Sequence, residues 1–242
     1  MVTAASAQAS GIAAQTTAAR AAEIVSEYLR APIEALDSTA AQLGMELASS
    51  PHVGALSSQR LDALVEPHAH YILGLPDPQI YGAGFIDAIG LLTDERNHLS
   101  WWQGDDPRKL LLAAQSVNKA LIDYSELEWF RVPMETGRGH VAGPYVDYLC
   151  SDEYTITVAA PVHIDDRFVG VAGLDLLIDS VERQLMPLLS DLGDNVTVIN
   201  SVGRVVVSTN PRHATGDAVR GGPLADLPRT PCDGLALEII AE

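Results

Sequence analysis

Cations and cysteine are scarce in this sequence, and each shortage removes a class of function. Fifteen Lys and Arg stand against 32 Asp and Glu, a formal net charge of -17. A field of that sign repels phosphate backbones and anionic lipid surfaces, so direct binding to nucleic acid is not expected. Cys150 and Cys232 are the only cysteines. Two thiols make neither a disulfide framework nor a zinc site, and at this separation they are no CxxC redox pair. Nowhere do about 18 uncharged apolar residues run together, and the N-terminal "MVTAASAQASGIAAQTTAAR" lacks the cationic and apolar parts of a signal peptide. As written the chain reads as cytoplasmic; read as an excised sensory region it is extracytoplasmic. What is present is 47% hydrophobic residues over 242 positions, enough to bury a sizeable core in one large domain or one and a half.

Residues Ile12 to Ser49 carry Val25, Leu29, Ile33, Leu36, Ala40, Leu43 and Leu47 at spacings of three or four, one apolar stripe along a long helix. Pro32 inside it is expected to kink or divide the helix. The stripe either packs on the chain's own sheet or pairs with a second copy, and the sequence leaves both open. Pro51 is expected to end this helix, and Ser57 or Ser58 to cap a second that runs toward Tyr71. "YGAGFIDAIGLLTDERNHLSWWQ" reads as an antiparallel hairpin, and "DDPRKLLLAAQSVNKALIDY" as a helix with Asp106 at the N-cap and Pro107 in its first position. From Ser125 to Tyr148 periodicity is lost and an irregular loop is expected. "YTITVAAPVHI" and "RFVGVAGLDLL" are strands joined at Asp165 and Asp166, followed by a helix through Ile178, Val181, Leu185 and Leu188. A hairpin in "NVTVINSVGRVVVSTNP" and a last strand in "LALEII" make a small C-terminal module. The expected class is α+β: a long N-terminal helix, then an antiparallel sheet flanked by helices, then a small β module. The expected divisions are 1–50, 51–192 and 193–242.

No nucleophile elbow, Walker loop or metalloprotease helix motif occurs. "GAGFIDAIG" has the look of a dinucleotide fingerprint, but its glycines fall at 82, 84 and 90 and a strand follows them, so the pattern fails on context and no cofactor is expected. His68 and His70, two apart on a helix, point away from each other and read as surface histidines rather than metal ligands. Asp152 and Glu153 read as the solvated approach to a strand. Asp147, in a turn, and Asp175, closing the apolar strand "GVAGLD", are different, because an ionised carboxylate there needs a partner. Each either binds local backbone amides or faces a pocket and holds an amine-bearing ligand, with Trp129, Phe130 and Tyr145 as aromatic walls. Spacing alone does not choose. A carboxylate-pair hydrolase using Asp147 and Asp175 is the enzymatic alternative, and a dimerisation module with a vestigial pocket is the structural one.

The ordered set "EWF" (Glu128 to Phe130), "GPYVD" (Gly143 to Asp147), "YTITVAAPV" (Tyr154 to Val162) and "RFVGVAGLDLLI" (Arg167 to Ile178) resembles the ligand-binding half of the Cache superfamily of sensor domains. "VTVINSVGRVVVSTNP" is similar to the opening of the second half of double Cache domains. The resemblance implies a PAS-like sheet, a dimer contact through the long first helix, small-metabolite binding for signal transduction, and no reaction. Output then lies with a separate or missing signalling protein. It also implies ligand contact by Trp129 with Phe130, by Tyr145 with Asp147, and by Asp175. Amino-acid-binding members place an arginine two residues before the tryptophan, where this sequence has Leu127. Leucine cannot replace a bidentate guanidinium, so Arg131 or Arg138 is expected to substitute if a carboxylate is bound. The ligand expected is an amine or amino-acid-like compound, with a small carboxylate as the alternative. The C-terminal module reads as a shortened second half.

Overall fold

A computed structural model describes residues 2–49, 56–110, 123–148, 152–193 and 195–242. The chain divides into two units, the larger formed by Ala31–Ala142 and Val146–Leu177, the smaller by Met1–Arg30, Gly143–Tyr145 and Ile178–Glu242. The architecture is the expected α+β one, with a long first helix, a six-stranded antiparallel sheet with helices, and a small four-stranded second sheet.

Helix α1 spans Val2–Ser49 without a break, so Pro32 does not divide it. The missing amide costs one hydrogen bond, and burial of the stripe on both sides of the proline outweighs that local loss. Val25, Leu29, Leu36, Ala40, Leu43 and Leu47 are buried, so the stripe faces the protein's own interior. Residues 50–55 lie outside the described residues, and with them the expected stop at Pro51. Helix α2, Ser58–Leu73, begins as the sequence predicts, with the Ser57 side chain accepting from the amide of Arg60.

The sheet of the larger unit runs β3-β2-β1-β6-β5-β4. Its strands are β1 Gly82–Asp87, β2 Leu99–Gln103, β3 Arg108–Lys109, β4 His140–Val146, β5 Tyr154–Ile164 and β6 Arg167–Leu177. β5 and β6 join at Asp165, whose φ of 52° is the left-handed turn conformation that aspartate tolerates. Two expectations are corrected here. Asp106 and Pro107 do not start a helix, because Arg108–Lys109 extends to pair with Trp102 and Gln103; a local helix-start signal loses to tertiary strand pairing. The remainder of that expected helix, 111–122, lies outside the described residues. The stretch expected to be an irregular loop contains helix α3, Glu128–Thr136, closed by Gly137 in the left-handed conformation, and strand β4.

Cross-strand register sorts the sheet into two faces, since directly opposite residues share a face and successive residues alternate. Ser100 and Trp102 point to α2: Ser100 donates to Asp62 at 2.8 Å, and the Trp102 ring meets His70 edge-on. Asp62 also holds His98 at 2.9 Å and Lys109, which ties α2 to β2 and β3. Gly44 of α1 lies against Val162 and the carbonyl of His163 on the same covered face. The opposite face carries Trp101, Gly82, Gly84, Gly173, Asp175, Thr157 and Thr155.

In the smaller unit, helix α4 (Ile178–Ser190) packs against β8 of a second sheet ordered β8-β7-β10-β9. Its strands are β7 Val196–Asn200, β8 Val205–Ser208, β9 Thr230–Pro231 and β10 Leu237–Ala241. Ile199, Val205, Val219, Leu224 and Ile240 form a core under this sheet. Asn200 closes the β7–β8 turn by accepting from the amides of Val202 and Arg204, and its amide donates to the carbonyl of Gly143 at 2.5 Å. Burial pushes the Cys232 thiol up to about 12, so it is an inert core thiol.

Candidate ligand-binding site

Among the described residues three carboxylates lie buried in the larger unit, Asp87, Asp147 and Asp175, and the last two are the candidates for a site. Asp175 is 4% exposed and Asp147 is 5% exposed. Asp175 is near the end of β6, directly opposite Thr157 on β5 and Gly82 on β1. The Thr157 hydroxyl donates to it at 2.5 Å. Its carboxyl is pushed up to about 8: desolvation is the largest cause, the Thr157 hydrogen bond opposes it, and the charge of Asp147 adds to the rise. Asp147 follows β4 in a turn stitched by two backbone bonds, its own amide to the Glu153 carbonyl and the amide of Asp152 to its carbonyl, each 2.8 Å. Asp152 and Glu153 are exposed, in keeping with a solvated approach to the strand.

Tyr81 is the member of this group that sequence reasoning missed. Its amide donates to the Asp175 carbonyl at 2.9 Å, and its carbonyl accepts from Gly104 at 2.9 Å, which fixes it at the mouth of β1. Desolvation raises the Tyr81 phenol first, and the negative charges of Glu153, Asp105, Asp147 and Asp175 raise it further. A phenol that feels all four acids marks a region of concentrated negative potential.

Trp101 is the second omission. A Cβ placed on Gly82 would lie 2.6 Å from the Trp101 Nε1, and one on Gly173 would lie 3.4 Å from its Cζ3. The indole therefore lies across a floor of glycines beside Asp175. The signal was in the sequence: glycines two apart on a strand leave one face without side chains, which suits close approach of a ring or a ligand.

Trp129 and Phe130 are buried on α3, which packs on β5 and β6. Their ring contacts are with each other, with Tyr124 at 6.0 Å from Trp129, and with Phe168 at 5.5 Å from Phe130. Arg131 is exposed on the same helix and pairs with Glu135 at 3.0 Å; Arg138 is exposed as well. Leu127 is the half-buried N-cap residue of α3. Tyr145 is half-buried and is grouped with the smaller unit. His68 faces Glu46 at 3.3 Å. Among the described residues no cluster of three or more His, Cys, Asp or Glu side chains is placed to hold a metal, and no helix is long and apolar enough to cross a membrane.

Residues 97–183 match the family model of the methyl-accepting chemotaxis protein-like first PDC sensor domain. Over that stretch the chain is similar to chemoreceptor-type PDC sensors. The methyl-accepting chemotaxis protein PscA of Pseudomonas syringae pv. tomato is 26% identical over 120 residues, which are 50% of this chain and 19% of that protein. Among solved structures, the ligand-binding domain of the Pseudomonas fluorescens chemoreceptor CtaA, in complex with L-valine, superposes with a TM-score of 0.59 at 12% identity over 96% of each chain. The ligand-binding domain of the Pseudomonas aeruginosa amino acid chemoreceptor PctB, in complex with L-Gln, gives 0.58 at 16% identity over 95% of this chain and 90% of that one. At these identities the likeness is one of fold. The matched family model and these two structures are sensor domains of chemoreceptors.

Proposed function

We propose that this chain is a sensory module that binds a small ammonium-bearing metabolite, an amine or amino-acid-like compound, for signal transduction, and returns it chemically unchanged. The observation that carries the reading is the pair of buried, electrically coupled carboxylates, Asp147 in the turn after β4 and Asp175 on the sheet face with a glycine floor. Burying two acids together is unfavourable unless a cation or a proton joins them, and an ammonium meets that need. The amino acids held by CtaA and PctB carry the same group. In this reading Asp147 and Asp175 accept from the ammonium, while Trp129, Phe130 and Tyr145 pack on the ligand. Arg131, exposed on α3, is the cation for a carboxylate. Its (i, i+4) pair with Glu135 is worth only about 0.5 kcal/mol, so the pair alone does not hold it back.

The same proposal extends to organisation. The divisions at 50/51 and 192/193 mark the helix, the Cache-like domain and a reduced second module of the double Cache pattern. Output rests with another protein or region, as the 19% share of PscA covered by the match suggests, and sensing takes place outside the cytoplasm. Pairing of two copies through α1 would use the side of the helix that carries exposed Met45, because the buried stripe is already occupied.

A thermal-shift panel of amines, amino acids and short carboxylates tests the reading. At least one ammonium compound should raise the melting temperature, and Asp175→Ala should abolish the rise while the protein stays folded. Equal shifts in parent and variant remove Asp175 from the site, and shifts confined to carboxylates point to an acid sensor.

A further inference from the structure

The face that carries Asp175 also carries two buried donors that have no acceptor. Among the described residues, the Trp101 Nε1 and the Thr155 Oγ1 are buried side-chain atoms without a hydrogen-bond partner. Trp101 is 3% exposed and Thr155 is 0% exposed. Both orphans are costly when nothing meets them, and buried native groups are rarely left so.

Their positions are fixed by register. The indole nitrogen hangs 2.6 Å from where a Gly82 Cβ would be, and Gly82 is directly opposite Asp175. Opposite Cβ positions on neighbouring antiparallel strands are about 5 Å apart, so the N–H stands one strand over from the carboxylate. Thr155 is two residues before Thr157, the residue that donates to Asp175, and it opposes Leu177 on the same face. The two donors therefore bracket Asp175, Trp101 across β1 and Thr155 along β5. A ligand whose ammonium rests on Asp175 extends its next polar atoms into reach of one or both.

We propose that Trp101 Nε1 and Thr155 Oγ1 are an acceptor-binding subsite beside Asp175 and that, being neutral, they select ligands with an uncharged acceptor near the ammonium, such as a carboxamide, over the corresponding zwitterions. The inference rests on the sensory reading above. An N–H and an O–H satisfy an oxygen without neutralising a carboxylate, and the charges of Asp147, Glu153 and Asp105 that raise the phenol of Tyr81, bonded through its amide to Asp175, oppose a second anion there. Where a guanidinium would favour the carboxylate, these donors favour the amide.

The test uses the whole chain and matched trios of probes sharing one side chain: L-valine, L-valinamide and isobutylamine, with the analogous trios of leucine and glutamine. Calorimetric affinities are compared within each trio for the parent, Thr155→Val and Trp101→Phe, with circular dichroism checking that each variant is folded. The parent should bind the amide about fivefold or more tightly than the plain amine, the worth of one neutral hydrogen bond. Thr155→Val, which keeps shape and loses the hydroxyl, should shrink that ratio toward one while leaving the plain amine unchanged. Trp101→Phe should do the same if folded; if it is not, Thr155→Val alone decides. An amide preference that survives Thr155→Val and a folded Trp101→Phe, or a parent that prefers the zwitterion, overturns the subsite while amine binding stands. A parent that binds no member of any trio overturns the sensory reading, and the subsite with it.

Discussion

Asp175 is where the fold and the proposed ligand make opposite demands. Its carboxyl, held up to about 8 by desolvation, keeps a proton in the folded protein that the unfolded chain releases near the ordinary value of 3.8. Between those values the folded state binds more protons than the unfolded one, so stability falls as pH rises through the window. Asp87, raised to about 7 mainly by burial, acts in the same direction. Asp62, lowered through hydrogen bonds from Lys109, His98 and Ser100 that outweigh its desolvation, acts oppositely and loses its contribution only on acidification below 3.8. The melting temperature of the ligand-free protein should therefore decline from about pH 5 to about pH 8. Asp175→Asn, which cannot ionise, should flatten part of that decline and be the more stable protein at the alkaline end. Parallel curves for parent and variant would show that Asp175 is already ionised. An arriving ammonium favours the carboxylate, so binding near pH 7 should release protons, read as a calorimetric heat that changes with the ionisation enthalpy of the buffer.

At the scale of elements, the close approach of α1 to β5 rests on Gly44. A Cβ there would press inside van der Waals contact of the His163 carbonyl oxygen. On an exposed helix, glycine to alanine gains about 1 kcal/mol in propensity; an overpacked contact costs about 1–3 kcal/mol, and a backbone carbonyl cannot rotate aside. Gly44→Ala should thus lower stability by up to about 2 kcal/mol in urea unfolding, and a stabilised variant would mean that the helix stands off the sheet. The stripe beside Gly44 shows what was legible. Apolar spacing of three or four is a property of the element itself, as are the Ser57 cap and the near-continuous apolar runs of β5 and β6, and each is readable. β3 was not, because Asp106 and Pro107 give a genuine local helix-start signal that only the pairing of Arg108–Lys109 with β2 overrides. Helix α3 was hidden by Pro133 and the short run before Gly137. In the site, Asp147 and Asp175 stood out as acids in apolar company. Tyr81, Trp101 and Thr155 did not, since an aromatic or a threonine in a strand looks like any other until register shows which face it occupies. "GAGFIDAIG" was set aside as a failed nucleotide motif. Its first glycine, Gly82, instead lies under the Trp101 indole together with Gly173 of β6.

Over the whole molecule, the net charge of -17 and the local acids act in the same direction. A monovalent cation approaching Asp147 and Asp175 moves down a potential that begins well outside the site, and a small carboxylate moves up it. The two contributions separate by salt. The Debye length falls from about 30 Å at 0.01 M to about 8 Å at 0.15 M, which removes the long-range field but leaves contacts of a few ångströms inside a buried site nearly intact. Stopped-flow binding of an ammonium ligand should therefore show an association rate that falls several-fold over that range and a dissociation rate that barely changes. A zwitterion, with no net charge to steer, should show little of either. If amine and zwitterion respond alike, the global charge serves solubility only and the selectivity of the site is set within it. If instead the dissociation rate carries the salt effect, the carboxylates are wetter than their burial in the folded protein implies, and the amine is held by solvated charge rather than by a desolvated pair.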